Sequence, residues 1–244
     1  MSDLLTQYGL REVADVTFYE INPDGTAGAP YLYLDTLKVT SMEQTAEQTE
    51  ARGGKGNPVL VTWDYNKDIN ISLEDALLSM KTLALQWGGG IIEDVSGNSV
   101  IVKTLRFTGP TAPTDWEDAN GVTHPITTPE FFDGNGETVE SSALEEGVSY
   151  FVKFPINVTG HQIVVSANTF PGTYYVVGDT FIRNAVTGKD EYFQFIIPKA
   201  KISSESTLTM EAEGNPSTFS MDLKVMRPEN GEMVKLVKYD LVSE

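Results

Sequence analysis

The sequence has no cysteine anywhere in its 244 residues. That one absence excludes disulfides, thiolate zinc sites, iron–sulfur ligation and a cysteine nucleophile. Long hydrophobic runs are missing as well. None approaches the roughly 18 residues that suggest a membrane span, so no membrane insertion is expected. The opening MSDLLTQYGLREVADV lacks a basic stretch followed by an apolar one, and a secretory signal is not expected. The sequons at Asn70 and Asn157 therefore carry no weight.

Positive charge is scarce. Lys and Arg number 17 against 35 Asp and Glu, a formal net charge of -18, and no basic cluster stands out. So acidic a chain repels polyanions, and any relation to nucleic acid is expected to be passage, not grip. Histidine is rarer still. His124 and His161 lie 37 positions apart with no His–Glu helix motif beside them, which argues against zinc. The G-x-S-x-G elbow of serine hydrolases is absent. Carboxylate pairs such as Glu117/Asp118, Glu145/Glu146 and Glu211/Glu213 are numerous, but 35 acidic residues produce such pairs by chance. No cofactor, no metal and no catalytic residue is expected.

What is present points to sheet. Hydrophobic residues make up 40% of the chain, with 10 Tyr and 11 Phe among many Val, Ile and Thr. The expected fold class is mainly β: an antiparallel β-sandwich or partial barrel with one flanking α-helix. Strands are expected at 31–40, 59–65, 69–71, 150–158, 162–167, 173–177, 191–197, 206–212, 217–225 and 233–237. Turns are expected at Asn22–Gly25, Phe170–Gly172, Thr187–Lys189, Gly214–Pro216 and Pro228–Gly231. Residues 43–57, EQTAEQTEARGGKGN, read as a long exposed loop. Ser72 reads as a helix N-cap with Asp75 three residues on, and Leu73, Leu77, Met80 and Ala84 recur at helical spacing up to Gly88. Ile91–Val95 and Val100–Phe107 read as a hairpin about Ser96–Ser99. No repeat of fixed period is apparent.

Composition changes abruptly at Gly109. From there to Gly147 the chain has nine acidic residues, five Gly, four Pro and no Lys or Arg. This reads as an excursion or insertion within a single 1–244 domain, with Trp116, Phe131 and Phe132 able to pin it down.

Three strings resemble the tail tube proteins of tailed phages: ARGGKGNPVLVTWDYNKDINISLEDALLS (Ala51–Ser79), SANTFPGTYYVVGDTFIRNAVTGKDEYFQFIIPKAK (Ser166–Lys201) and LTMEAEGNPSTFSMDLKVMRP (Leu208–Pro228). They cover 86 of 244 residues, and Gly109–Gly147 lies outside them. The resemblance implies six copies in a ring, stacked rings, and strands of neighbouring subunits continuing into a wide barrel around a channel for DNA. It implies a virion tail component assembled in the host cytoplasm, beside a tape-measure protein and a sheath or terminator protein, with no specific DNA binding.

On that reading the wet faces of the last strands become a channel wall. Thr207, Thr209, Glu211 and Glu213 alternate with Leu208, Met210 and Ala212; Ser220, Asp222 and Lys224 alternate with Phe219, Met221, Leu223 and Val225. Arg52, Gly53, Gly54, Lys55 and Gly56 become contacts to the next ring. Their RGGKGN string fails as a phosphate loop, because Gly56, not Ser or Thr, follows Lys55. The alternatives are a carbohydrate- or surface-binding β-sandwich of a virion, with Trp116, Phe131 and Phe132 stacking on a sugar, and a carboxylate hydrolase.

Overall fold

The computed structural model describes residues 6–205, 207–208 and 218–241, with backbone alone over 91–99. In chain order, β1 (Tyr8–Leu10), β2 (Asp15–Ile21), β3 (Ala27–Leu34), β4 (Leu37–Arg52) and β5 (Val59–Asp75) precede α1 (Met80–Trp87). β6 (Gly90–Thr108) leads into the short β7 (Asp115–Glu117), β8 (Thr123–Pro125), β9 (Glu130–Phe132) and β10 (Thr138–Val139). β11 (Ser149–Val164), β12 (Thr173–Asn184), β13 (Asp190–Ile202), β14 (Phe219–Val225) and β15 (Lys235–Tyr239) complete it. Two compact units result: Met1–Ile91 with Ile163–Glu244, and Ile92–Gln162.

The first unit is one nine-stranded sheet in the order β3-β2-β12-β13-β14-β5-β4, with β1 added to β12 and β15 to β13. Its pairings are antiparallel, and the sheet ends at β3 and β4 instead of closing into a barrel. Alternation explains the burial. In β14 Phe219, Met221, Leu223 and Val225 are buried while Ser220, Asp222 and Lys224 are exposed. Val16 and Phe18 of β2, Leu32 and Leu34 of β3, Ile71 and Leu73 of β5, and Ile197 of β13 join them in one core, as in a sandwich. Each large side chain so buried contributes about 1.5–3 kcal/mol.

One α-helix flanks this sheet among the described residues, but it begins later than Ser72. Ser72 and Leu73 lie in β5, and the N-cap is Ser79, whose hydroxyl accepts from the Thr82 amide at 3.0 Å. Gly88 closes the helix in the left-handed region at φ 66°. Asp75 does satisfy an amide, that of Leu77 at 3.1 Å, in the turn ahead of the helix. The period-two run Ile69, Ile71, Leu73 wins over the helical spacing because β5 is clamped between β4 and β14.

The expected loop at 43–57 is a ribbon. β4 and β5 pair from Leu37↔Asp75 out to Arg52↔Val59, so only residues 53–58 turn. Backbone pairing, not burial, makes these strands, since residues 43–50 and 59–67 are all exposed. Between Thr45↔Asp68 and Glu47↔Tyr65 the register slips by one residue, and Asn66 there takes φ 50°. This is a bulge, with Asn among the few residues that tolerate the left-handed region.

The expected hairpin about Ser96–Ser99 is not formed. β6 runs through it as one 19-residue strand, because β11, 16 residues long and uninterrupted from Ser149 to Val164, lies beside it. Continuous pairing satisfies more backbone groups than a local turn would.

The second unit holds a sheet in the order β10-β9-β11-β6 and the two-stranded β7-β8. Residues 109–147, read from the sequence as an excursion or insertion, contain two short hairpins, β7–β8 and β9–β10. They also contain a repeat: β7–β8 and β9–β10 are alike at an offset of 15 residues. Asp118-Ala119-Asn120-Gly121 and Asp133-Gly134-Asn135-Gly136 make the same turn, with Gly121 and Gly136 donating to the Asp118 and Asp133 carbonyls at 3.0 and 3.1 Å. Trp116 and Phe131 occupy equivalent positions and both pack on the small core of Val152 and Phe154.

Candidate functional site

The β4–β5 ribbon is two-faced. Register partners share a face, so Val61/Ala51, Trp63/Thr49 and Tyr65/Glu47 form one side, and Thr62/Glu50 and Asp64/Gln48 the other. The second side is knit by polar contacts: Gln48 Nε2 donates to Asp64 Oδ1 at 2.8 Å, and Arg52 pairs with Glu50 at 2.6 Å. The first side holds exposed Val61, Trp63 and Tyr65.

At the tip the Gly53 amide donates to the Pro58 carbonyl at 3.2 Å and the Asn57 amide to the Gly54 carbonyl at 3.1 Å. Gly54 and Gly56 sit at φ 83° and 85°, conformations that a Cβ would penalise. The glycines of the string thus serve the turn. Arg52 lies at the end of β4 with its charge engaged by Glu50, while Lys55 is exposed and has no ion-pair partner among the described residues.

Ser220, Asp222 and Lys224 fall together on the exposed face of β14, beside Glu74, Ser72 and Asn70 of β5 and Ser41 and Glu43 of β4. Lys224 reaches Asp68 at 3.3 Å, and Ser72 donates to Asp222. A shallow groove of about 440 Å³ opens here, lined by Asn70, Ser72, Lys201, Ser203 and Asp222. Glu43, Asp68, Glu74 and Asp222 outnumber Lys201 and Lys224 on this surface. Thr207 is described and exposed; Thr209, Glu211 and Glu213 lie outside the described residues. Elsewhere the sheet's outer surface is aromatic: Tyr192 meets Phe181 at 5.2 Å and Tyr239 at 5.3 Å.

In the second unit Phe131 is buried and Trp116 is engaged by Lys103 at 3.5 Å and by the stacked His124 at 4.8 Å. These aromatics anchor their hairpins. Asp118 accepts from the Val122 amide at 3.0 Å, from His124 Nε2 at 3.0 Å and from the Asn120 amide at 2.8 Å. Those donors, Val122 foremost, hold its carboxyl down at about 2. Among the described residues no three carboxylate or imidazole groups gather closely enough to hold a metal ion. No described helix is long and apolar enough to cross a membrane.

Residues 8–238 match the YomU/Tube protein family. The chain belongs to that family. It is a structural protein of the phage tail tube, a virion component that works as part of an oligomeric tail assembly. No curated protein matches it. For a tube protein the informative surfaces are those that water should not be left to cover. The sequence reading missed one, the Val61, Trp63 and Tyr65 stripe. Its alternation is visible in VLVTWDY, which by itself signifies no more than the strand expected at 59–65.

Proposed function

We propose that this YomU/Tube protein closes into hexameric rings that stack into a tube for genome delivery. The family match over residues 8–238 carries the reading. Two features of the subunit support it. The sheet has open edges at β3 and β4, which a neighbouring copy can continue. Among the described residues nothing of the same subunit covers either face of the outer β4–β5 ribbon, which suits an arm directed at another copy. On this reading Arg52, Gly53, Gly54, Lys55 and Gly56 meet the next ring, and the single chain forms one tube domain with residues 109–147 facing outward.

The polar face of β4, β5 and β14 becomes the channel wall, with Ser220, Asp222 and Lys224 in it and Thr207, Thr209, Glu211 and Glu213 continuing it. In each of the six copies the named carboxylates there, Glu43, Asp68, Glu74, Asp222, Glu211 and Glu213, outnumber the ammonium groups of Lys201 and Lys224. Such a wall repels phosphates over about 8 Å at physiological salt and gives DNA nothing to bind specifically. Assembly takes place in the host cytoplasm with a tape-measure protein and a sheath or terminator protein as partners. Electron microscopy of the concentrated protein tests the whole reading. Hollow tubes with six-fold end views and extra density outside the bore are expected; discrete monomers, or density for 109–147 within the bore, would overturn it.

A further inference from the structure

Among the described residues several groups of large apolar side chains in the first unit are left in water, the Phe181–Tyr192 pair included, and two of them lie toward opposite ends of β5. One is the ribbon stripe, where Val61, Trp63 and Tyr65 are 47%, 53% and 46% exposed. The other surrounds α1. Met80 and Trp87 are seven residues apart and so lie along one side of the helix, with Leu78 just ahead of it. Gly88 presses on Phe170, since a methyl group built on it would lie within van der Waals overlap of the Phe170 backbone. Leu78, Met80, Trp87 and Phe170 are all exposed. A large aromatic side chain of about 150–250 Å² that is a third to two thirds exposed still presents roughly 50–150 Å², so either group leaves an apolar patch of about 200–300 Å², the scale at which a patch begins to mark an interaction site.

Neither patch can cover the other within one subunit. Trp63 is twelve residues of strand from Asp75, about 40 Å at a rise of 3.3 Å per residue. The helix lies at the Asp75 end: Gln86 Nε2 donates to the Ser220 carbonyl at 2.7 Å, and Ser220 is the register partner of Glu74. A head-to-tail assembly of identical subunits needs two different patches on each copy, one to offer and one to receive. A two-stranded ribbon alone in water is also marginally stable, so a stable arm of this length requires a cover.

We propose that the Val61–Trp63–Tyr65 face of one subunit's ribbon seats on the α1 patch, around Trp87 and Phe170, of a neighbouring copy of the same chain. This rests on the tube reading above and adds to it the receiving surface. The ribbon supplies reach, and the helix patch supplies the apolar seat. The polar side of the ribbon, with Gln48 bonded to Asp64, stays wet.

The absence of cysteine makes the test clean, because introduced thiols are the only ones present. Tubes of a Trp63→Cys, Trp87→Cys double variant, treated with a short bis-maleimide, should give a ladder of covalent multimers on a denaturing gel. Either single variant should give none. A second arm uses the unaltered protein: tubes grown from mixed light and heavy-isotope subunits are treated with an amine-reactive linker. Mixed-mass peptides joining Lys55 or Lys67 to Lys81 are expected. Wild-type protein that forms no tubes overturns the assembly reading and this inference with it. Intact tubes that yield neither the ladder nor the mixed peptides overturn this inference alone, as does a ladder from Trp63→Cys by itself.

Discussion

Gly178 lies directly against the ring of Phe195, its register partner across β12 and β13. A methyl group built on Gly178 would fall 2.0 Å from the ring's Cζ. The ring occupies the space a side chain would need, and Phe195 is itself in the core. Gly178→Ala should therefore destabilise the subunit by about 1–3 kcal/mol through overpacking. Gly160→Ala, where nothing stands within 4 Å of the added methyl, should be near neutral. Urea unfolding of both variants is the measurement, and equal midpoints would contradict the packing argument.

Charge at the ribbon tip gives a second prediction. Arg52 pairs with Glu50 and Lys55 stands exposed, so replacing both cations with Glu makes the tip wholly acidic in an acidic protein. Like charges brought together at a contact cost several kcal/mol. Tubes should be lost while circular dichroism and the unfolding midpoint stay unchanged. Normal tubes from the double variant would remove the tip from the ring-to-ring contact.

The polar face offers a third. Asp222 and Glu74 are exposed or half-buried beside Lys224 and Lys201. Changing both acids to Lys should leave tubes intact and slow DNA ejection, more so at low salt, because each added cation can release a phosphate counterion. Ejection timed by single-particle fluorescence would decide it. An unchanged rate at low salt would place this face away from the DNA.

Acid should loosen the second unit's first hairpin. The Asp118 carboxyl is held down at about 2, chiefly by the Val122 amide, then by His124 and the Asn120 amide. A depressed carboxyl stabilises the fold fully above its ordinary value near 4 and loses that contribution as pH falls through about 2. Amide hydrogen exchange at Val122 should therefore quicken as pH drops from 5 to 2 once the intrinsic pH dependence is removed. Asp118→Asn should flatten that response. A wild-type profile without the rise would mean that the turn does not depend on the carboxylate.

Much of the sandwich was legible because alternation and burial agree in it. Phe219 to Val225 and the Pro228–Gly231 turn follow from local pattern, and Gly231 does donate to the Pro228 carbonyl at 3.1 Å. The ribbon was hidden for the opposite reason. Residues 43–52 bury almost nothing, so no hydrophobic period marks them, and the strand exists because β5 lies beside it. The helix start was read at Ser72, seven residues ahead of the true cap Ser79, because the pairing of β5 with β4 and β14 through Asp75 leaves no local mark in the sequence. The twin hairpins escaped notice because their strands are three residues or fewer and only Asp, Asn, Gly and Thr recur in them.

The bulge at Asn66 divides one strand into two mechanical regimes. On the Ile69 side β5 is clamped, with alternate side chains locked into the core. On the Tyr65 side the same strand is a cantilever two strands wide. Deflection of a loaded beam concentrates where stiffness falls most steeply, and here that step spans a few residues. A filament made of such subunits would bend at its fulcrums while each sandwich kept its shape. Curvature along the tail would then leave the cross-section of the passage unaltered.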